Sequence, residues 1–165
     1  MTTRYISTVY ASPYGRFTIV NRDEEAVIAA YWDDVQPPAV RRKNVTEKPS
    51  ELNDRWYDFL LGGRDIPAPP FEITGTTFQK AVYEATRNVA KGRVTTYGEI
   101  ARQIGKPKAF RAVAQALKAN PLAIFVPCHR VVASGGIGGF NAGLERKRAI
   151  LGDELSADVL DSLKG

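Results

Sequence analysis

The chain has one cysteine and one histidine among 165 residues. One cysteine excludes an internal disulfide, and the pair excludes a zinc site built from cysteines and histidines alone. No apolar run approaches the roughly 18 residues that a membrane span needs. The opening MTTRYISTVYASPYGRF has no apolar stretch ahead of a small-residue cleavage site. Repeats and heptads are missing, and the 14 Gly and 10 Pro are scattered rather than clustered into low complexity. These absences lead to the expectation of a soluble cytoplasmic protein with no cofactor, metal or membrane partner.

Acidic residues are scarce in one half only. Residues 1–76 carry 9 Lys and Arg against 11 Asp and Glu, a net of −2. Between Thr77 and Gly152 there are 13 basic residues and only Glu84, Glu99 and Glu145, a net of +10. A basic segment beside a mildly acidic one predicts a polyanion-binding domain joined to a second domain.

The acidic half is β-rich in pattern. Arg4 to Tyr10 and Arg16 to Val20 hold β-branched and aromatic residues on either side of the turn signal Ser12-Pro13-Tyr14-Gly15. Ala26 to Trp32 reads as a third strand, and Asp33 to Ser50 as a loop. Leu52, Trp56, Phe59 and Leu60 recur at helical spacing until Gly62-Gly63. Pro67, Pro69 and Pro70 mark 64–76 as a linker, so the expected domains are 1–72 and 77–165.

The basic half is helical in pattern. Thr76-Thr77 can cap a helix through Phe78, Val82, Ala85 and Val89 to about Gly92. Thr96-Tyr97-Gly98-Glu99 has the spacing of a capping box for a short helix ending at Gly105. Ala109 to Ala119 follows after Lys106-Pro107-Lys108. Two short helices across a tight turn, on a strongly basic segment, predict a helix-turn-helix. Leu122 to Val126 is apolar enough to cross the core, and a basic helix is expected around Leu144 to Leu151.

Pro127-Cys128-His129-Arg130 gathers the only thiol and the only imidazole. A lone cysteine is by default a small buried hydrophobe. The turn-forming proline, the nearby cations and a possible helix start would each favour the nucleophilic thiolate. Adjacent side chains seldom face each other, so contact between Cys128 and His129 needs a bridging water or a turn.

The run Phe125-Val126-Pro127-Cys128-His129-Arg130-Val131-Val132 closely resembles the active-site signature of the O6-alkylguanine-DNA alkyltransferases, or methylated-DNA–protein-cysteine methyltransferases. Phe78-Gln79, Thr96-Tyr97-Gly98, Lys108 to Val113, Asn120-Pro121 and Gly138-Gly139-Phe140 fall in that family's order and spacing. The resemblance implies an α+β protein. A ribonuclease H-like N-terminal domain, with a small antiparallel sheet and a helix, precedes a winged-helix-like domain carrying the helix-turn-helix. The implied activity is irreversible, single-turnover transfer of the alkyl group of O6-alkylguanine, and less readily of O4-alkylthymine, to Cys128. The implied partner is double-stranded DNA, met through the minor groove by a monomer that flips out the damaged base.

By the same resemblance His129, through a water, takes the thiol proton, and Glu154 supports the imidazole. Tyr97 serves the leaving base and Asn120 orders the turns around the cysteine. Arg111 fills the gap in the DNA stack, with Lys108, Ala109, Phe110 and Ala112 beside it at the groove. The carbonyls of Cys128 and Val131 accept the guanine amino group, and Phe140, Asn141 and Ala142 wall the pocket. Three positions depart from the family's habit: Phe140 where Tyr is frequent, Phe110 where a smaller residue is usual, and Ala114 where Gly is common. A lesion-binding alkyltransferase-like protein is the alternative, but those proteins lack the cysteine. A cysteine hydrolase leaves the basic helix-turn-helix unexplained, and a winged-helix regulator leaves Pro-Cys-His-Arg unexplained.

Overall fold

The computed structural model describes residues 2–63 and 66–163, so residues 64 and 65 of the expected linker lie outside the described residues. The fold is mixed α+β, and the chain forms two compact units. The first is Met1–Thr74 with Pro121–Ala123, and the second is Gly75–Asn120 with Ile124–Gly165.

In the first unit, β1 (Tyr5–Ser12), β2 (Gly15–Arg22) and β3 (Ala26–Trp32) form an antiparallel meander. Gly15, at φ 117°, closes the first hairpin, and Ser12 Oγ accepts from the Tyr14 N–H and donates to the Gly15 carbonyl. The second hairpin turns on Asp23 and Glu24, both with positive φ (53° and 59°), and the Glu25 N–H bonds to the Arg22 carbonyl. Positive φ at both central residues makes a type I′ turn, which suits strand twist but usually selects Asn or Gly. Asn21 Oδ1 steadies it by accepting from the Glu24 N–H at 2.9 Å.

Two expectations fail here. The sheet is not purely antiparallel, because β4 (Val45–Glu47) joins it parallel to β1, in the order β3-β2-β1-β4. That strand lies within Asp33 to Ser50, which reads as loop. Three residues are too few to show alternation, and only pairing with β1 defines them. Leu122 likewise belongs to this unit, where a parallel bridge to Ala30 covers the outer edge of β3 beside a similar bridge between Val27 and Phe71.

Helix α1 (Glu51–Leu61) is capped by Ser50, whose Oγ accepts from the Asn53 N–H. Buried Asn53 ties the helix to the sheet by donating to the Ile19 carbonyl and Thr8 Oγ1 and accepting from Asn21 Nδ2. Trp56, fully buried, donates Nε1–H to the Pro70 carbonyl.

In the second unit, α2 (Thr77–Arg87) starts with a complete capping box between Thr76 and Gln79. It ends five residues before Gly92, and beyond it the Val89 carbonyl accepts from Arg130 Nη1 at 2.9 Å. The two-residue strand β5 (Thr95–Thr96) leads into α3 (Tyr97–Gln103), capped by Thr96. Gly105 (φ 75°) ends α3 in a Schellman motif, with its own N–H on Arg102 and the Lys106 N–H on Ala101. That turn delivers α4 (Phe110–Lys118), and buried Tyr83 of α2 donates to the Ala116 carbonyl of α4 at 2.8 Å.

A single 3-10 turn, Cys128–Arg130, runs into β6 (Val131–Val132), which pairs in parallel with β5. The pair sets the start of α3 beside the cysteine turn. α5 (Leu144–Glu154) follows, longer than the sequence pattern by three residues, and then α6 (Ala157–Ser162), which the pattern did not reveal. Six residues under a Ser156 cap are too short for periodicity.

Replacing Asn53 by Ala leaves Asn21 and two strand groups without their buried partner. The variant is expected to lose about 2–4 kcal/mol of stability, measured by urea denaturation of both proteins.

Candidate functional site

The inner face of α5 carries Lys147, Ile150, Leu151 and Glu154, spaced i, i+3, i+4 and i+7. Two of these side chains are charged and still turn inward. Glu154, 9% exposed, meets the Cys128–Arg130 turn: its Oε1 lies 3.0 Å from His129 Nε2. Arg130 Nε donates to Oε2 at 2.8 Å and Nη2 to Oε1 at 2.9 Å, a bidentate clamp on the same carboxylate.

The electrostatics follow from that clamp. Burial alone would raise the Glu154 carboxyl, but hydrogen bonds from His129 and Arg130, with their charges, outweigh it and hold the pKa at about 2. His129, 1% exposed, has its pKa lowered, first by burial and then by the Arg130 and Lys147 charges, against the pull of Glu154. An ionised carboxylate facing Nε2 makes that nitrogen the donor of a neutral ring. The lone pair then falls on Nδ1, which is buried and has no hydrogen-bond partner among the described residues.

Cys128 is half-buried, and its Sγ accepts from Asn120 Nδ2 at 3.3 Å. The same amide donates to the Val126 carbonyl at 2.9 Å, which fixes the chain on both sides of Pro127. The expectation of a thiolate-favouring site is corrected: burial pushes the thiol up, ahead of the opposing Asn120 hydrogen bond and Lys147 charge. A three-residue 3-10 turn has too little aligned backbone to offset that burial.

Lys147 is the residue that sequence reading missed. It counts among the basic residues but is fully buried, with Nζ donating to the Val131 carbonyl at 2.7 Å and the Gly139 carbonyl at 2.9 Å. Burial lowers its pKa to about 8. Its spacing with Ile150, Leu151 and Glu154 was the available signal. The Val131 carbonyl, expected to face a base, is engaged by this ammonium, and the Cys128 carbonyl accepts the Val131 N–H.

Cys128 opens onto a cavity of about 250 Å³ lined by Tyr97, Ala114, Leu117, Lys118, Gly139, Phe140 and Asn141. Tyr97 Oη donates to the Gly139 carbonyl at 3.2 Å, and its pKa is raised by burial and then by Cys128. Gly138 (φ 73°) passes so close that a Cβ there would stand 2.9 Å from the Ala133 nitrogen and 3.3 Å from the Tyr97 ring. Asn141 Nδ2 bonds to the Lys118 carbonyl, and the half-buried Ala142 accepts from Arg146. Val131 and Ala142 are absent from the cavity lining. Lys108, Phe110, Arg111 and Ala112 are exposed around the start of α4, with Ala109 half-buried as its N-cap residue. Among the described residues, no group of three or more His, Cys, Asp and Glu side chains could hold a metal ion. No described helix is long and apolar enough to cross a membrane.

A half-buried cysteine thus opens onto a small cavity, next in sequence to a buried histidine paired with Glu154. Residues 77–156 match the family model described as 6-O-methylguanine DNA methyltransferase, DNA binding domain. The methylated-DNA–protein-cysteine methyltransferase of Metallosphaera sedula is 34% identical over 156 residues, 94% of this chain and 96% of its own. That of Methanosarcina acetivorans is 51% identical over 149 residues, 87% and 94% of the two chains. The crystal structure of Mycobacterium tuberculosis OGT in complex with DNA superposes with a TM-score of 0.77 at 31% identity, covering 94% and 98%. The chain belongs to the methylated-DNA–protein-cysteine methyltransferase family.

The depressed Glu154 pKa fixes a pH dependence of stability. The contribution of the ionised carboxylate is fully present above its ordinary value of 4.5 and is lost as pH falls towards about 2. It amounts to on the order of 2–3 kcal/mol. Glu154→Gln should flatten stability across that window, as read from urea midpoints at several pH values.

Proposed function

We propose that the protein repairs DNA by moving the alkyl group of O6-alkylguanine, and less readily of O4-alkylthymine, onto its own Cys128. The observation that carries this reading is the buried His129, held through Nε2 by Glu154 and with Nδ1 lacking a partner among the described residues, next in sequence to a cavity-facing Cys128 whose thiol burial pushes up. Such a thiol needs a base at the moment of reaction. His129, through a water, takes the proton, and Glu154 stabilises the imidazolium that forms. The thiolate attacks the alkyl carbon, the carbon–O6 bond breaks, and the electron pair leaves on the guanine. Tyr97, on letting go of the Gly139 carbonyl, donates towards that leaving base from the cavity wall, and Phe140 and Asn141 hold the base. Asn120 keeps the sulfur aimed into the cavity. The product is a thioether, which water does not cleave, so each protein acts once.

Duplex DNA is the substrate in this reading. Lys108, Ala109, Phe110, Arg111 and Ala112 lie at the minor groove, and small alanines let the helix approach closely. The damaged nucleotide turns out into the cavity, and Arg111 occupies the place it leaves; unstacking costs a few kcal/mol, which an inserted side chain offsets. The first unit is read as ribonuclease H-like, the second as winged-helix-like, and the protein as a cytoplasmic monomer.

Intact-mass spectrometry after mixing with a duplex carrying O6-methylguanine should find one methyl group per protein, on Cys128, with no further turnover. Methyl on another residue, or sustained release of methanol, contradicts the mechanism. Cys128→Ser should bind the duplex and acquire no methyl.

Arg111→Ala should lower the ratio of the transfer rate on duplex to that on a single-stranded oligonucleotide by about ten-fold or more. Glu154→Gln should slow both by a similar factor, roughly 10- to 100-fold. Single-turnover rates on the two substrates check both statements, and an unchanged ratio for Arg111→Ala moves the extrusion role to another residue.

A further inference from the structure

Phe110 is the most exposed large hydrophobic side chain among the described residues, at 47%. A single exposed apolar residue means little by its exposure alone; its position gives it meaning. Phe110 lies four residues before Ala114, which lines the cavity beside Cys128, and Lys118 follows four further on. Spacing of four residues puts all three on one side of α4. Arg111, three residues before Ala114, shares that side, and its guanidinium carbon is 5.8 Å from the Phe110 ring centroid. Ala109 precedes the ring and Ala114 lies one turn on, so the ring and the guanidinium have small neighbours on the side of α4 that continues to the cavity lining.

The surroundings select the occupant. Between Glu99 and Glu145 the sequence has no acidic residue, and Lys106, Lys108, Arg111 and Lys118 are all exposed. A run of exposed cations along the chain suits phosphates and disfavours a second copy of itself. Apolar side chains set among cations on a minor-groove surface enter base steps and prise them open, and a phenyl ring can stack on any base.

We propose that Phe110 is a second wedge: it enters the minor groove beside Arg111 and stacks on the base step next to the extruded nucleotide. This rests on the DNA-repair reading above and adds a specificity element that the family's habit of a small residue here does not supply. Arg111 fills the vacated position with charge and hydrogen bonds, while Phe110 covers the neighbouring exposed base face. The division favours duplex over single-stranded substrate.

The test compares single-turnover transfer from O6-methylguanine in a duplex and in a single-stranded oligonucleotide, for the unaltered protein, Phe110→Ala and Phe110→Trp. The duplex-to-single-strand rate ratio should fall about ten-fold in Phe110→Ala and recover in Phe110→Trp. Trp32 and Trp56 are buried, so the indole of Phe110→Trp can be followed as the difference from the unaltered protein, and it should be quenched by duplex. An unchanged ratio in Phe110→Ala, or an unquenched indole, overturns the wedge. An unchanged ratio with a loss of dimer on gel filtration would give the ring to a second copy instead. Failure of the unaltered protein to acquire methyl from either substrate would sink the DNA-repair reading itself, which separates the two failures.

Discussion

The Glu154 carboxylate is held from two directions, by two nitrogens of Arg130 and by His129 Nε2. A lone buried carboxylate would neutralise itself or draw in water, since burying an unpaired charge is expensive. Here the bidentate clamp keeps it ionised, and ionisation leaves the imidazole a single neutral tautomer. The tautomer of His129 and the anchorage of α5 to the cysteine turn both follow from that one carboxylate.

Around it, polar atoms of the backbone are consumed by side chains rather than by regular secondary structure. Lys147 takes the Val131 and Gly139 carbonyls, Tyr97 takes Gly139, Arg130 takes Val89, and Asn120 takes Val126. The segment from 124 to 143 has only a 3-10 turn and a two-residue strand of its own. Its shape therefore depends on these tethers. Ile124, a β-branched residue held at φ 72°, shows the cost at one position.

Much of this was legible beforehand because it is local. The hairpin at Ser12–Gly15, the Thr76 and Thr96 caps, the Gly105 stop and the Pro-Cys-His-Arg turn each need only a few neighbouring residues. What escaped depends on partners distant in sequence. β4 exists through β1, some 40 residues away, and it makes the sheet mixed. Lys147 looks like surface charge until α5 is rotated against Val131 and Gly139. The thiol was expected to be acidic from the cations near it in sequence, but burial, which no short motif records, prevails.

Since His129 is the only histidine, one isotope label reports on the centre of the account. Protein labelled with nitrogen-15 in histidine should show, at neutral pH, a neutral ring with its proton on Nε2 and an unprotonated Nδ1. Its titration should lie below the ordinary histidine value of 6.5. An imidazolium at neutral pH, or a ring protonated on Nδ1, would contradict the role given to Glu154 and remove the base from the proposed transfer.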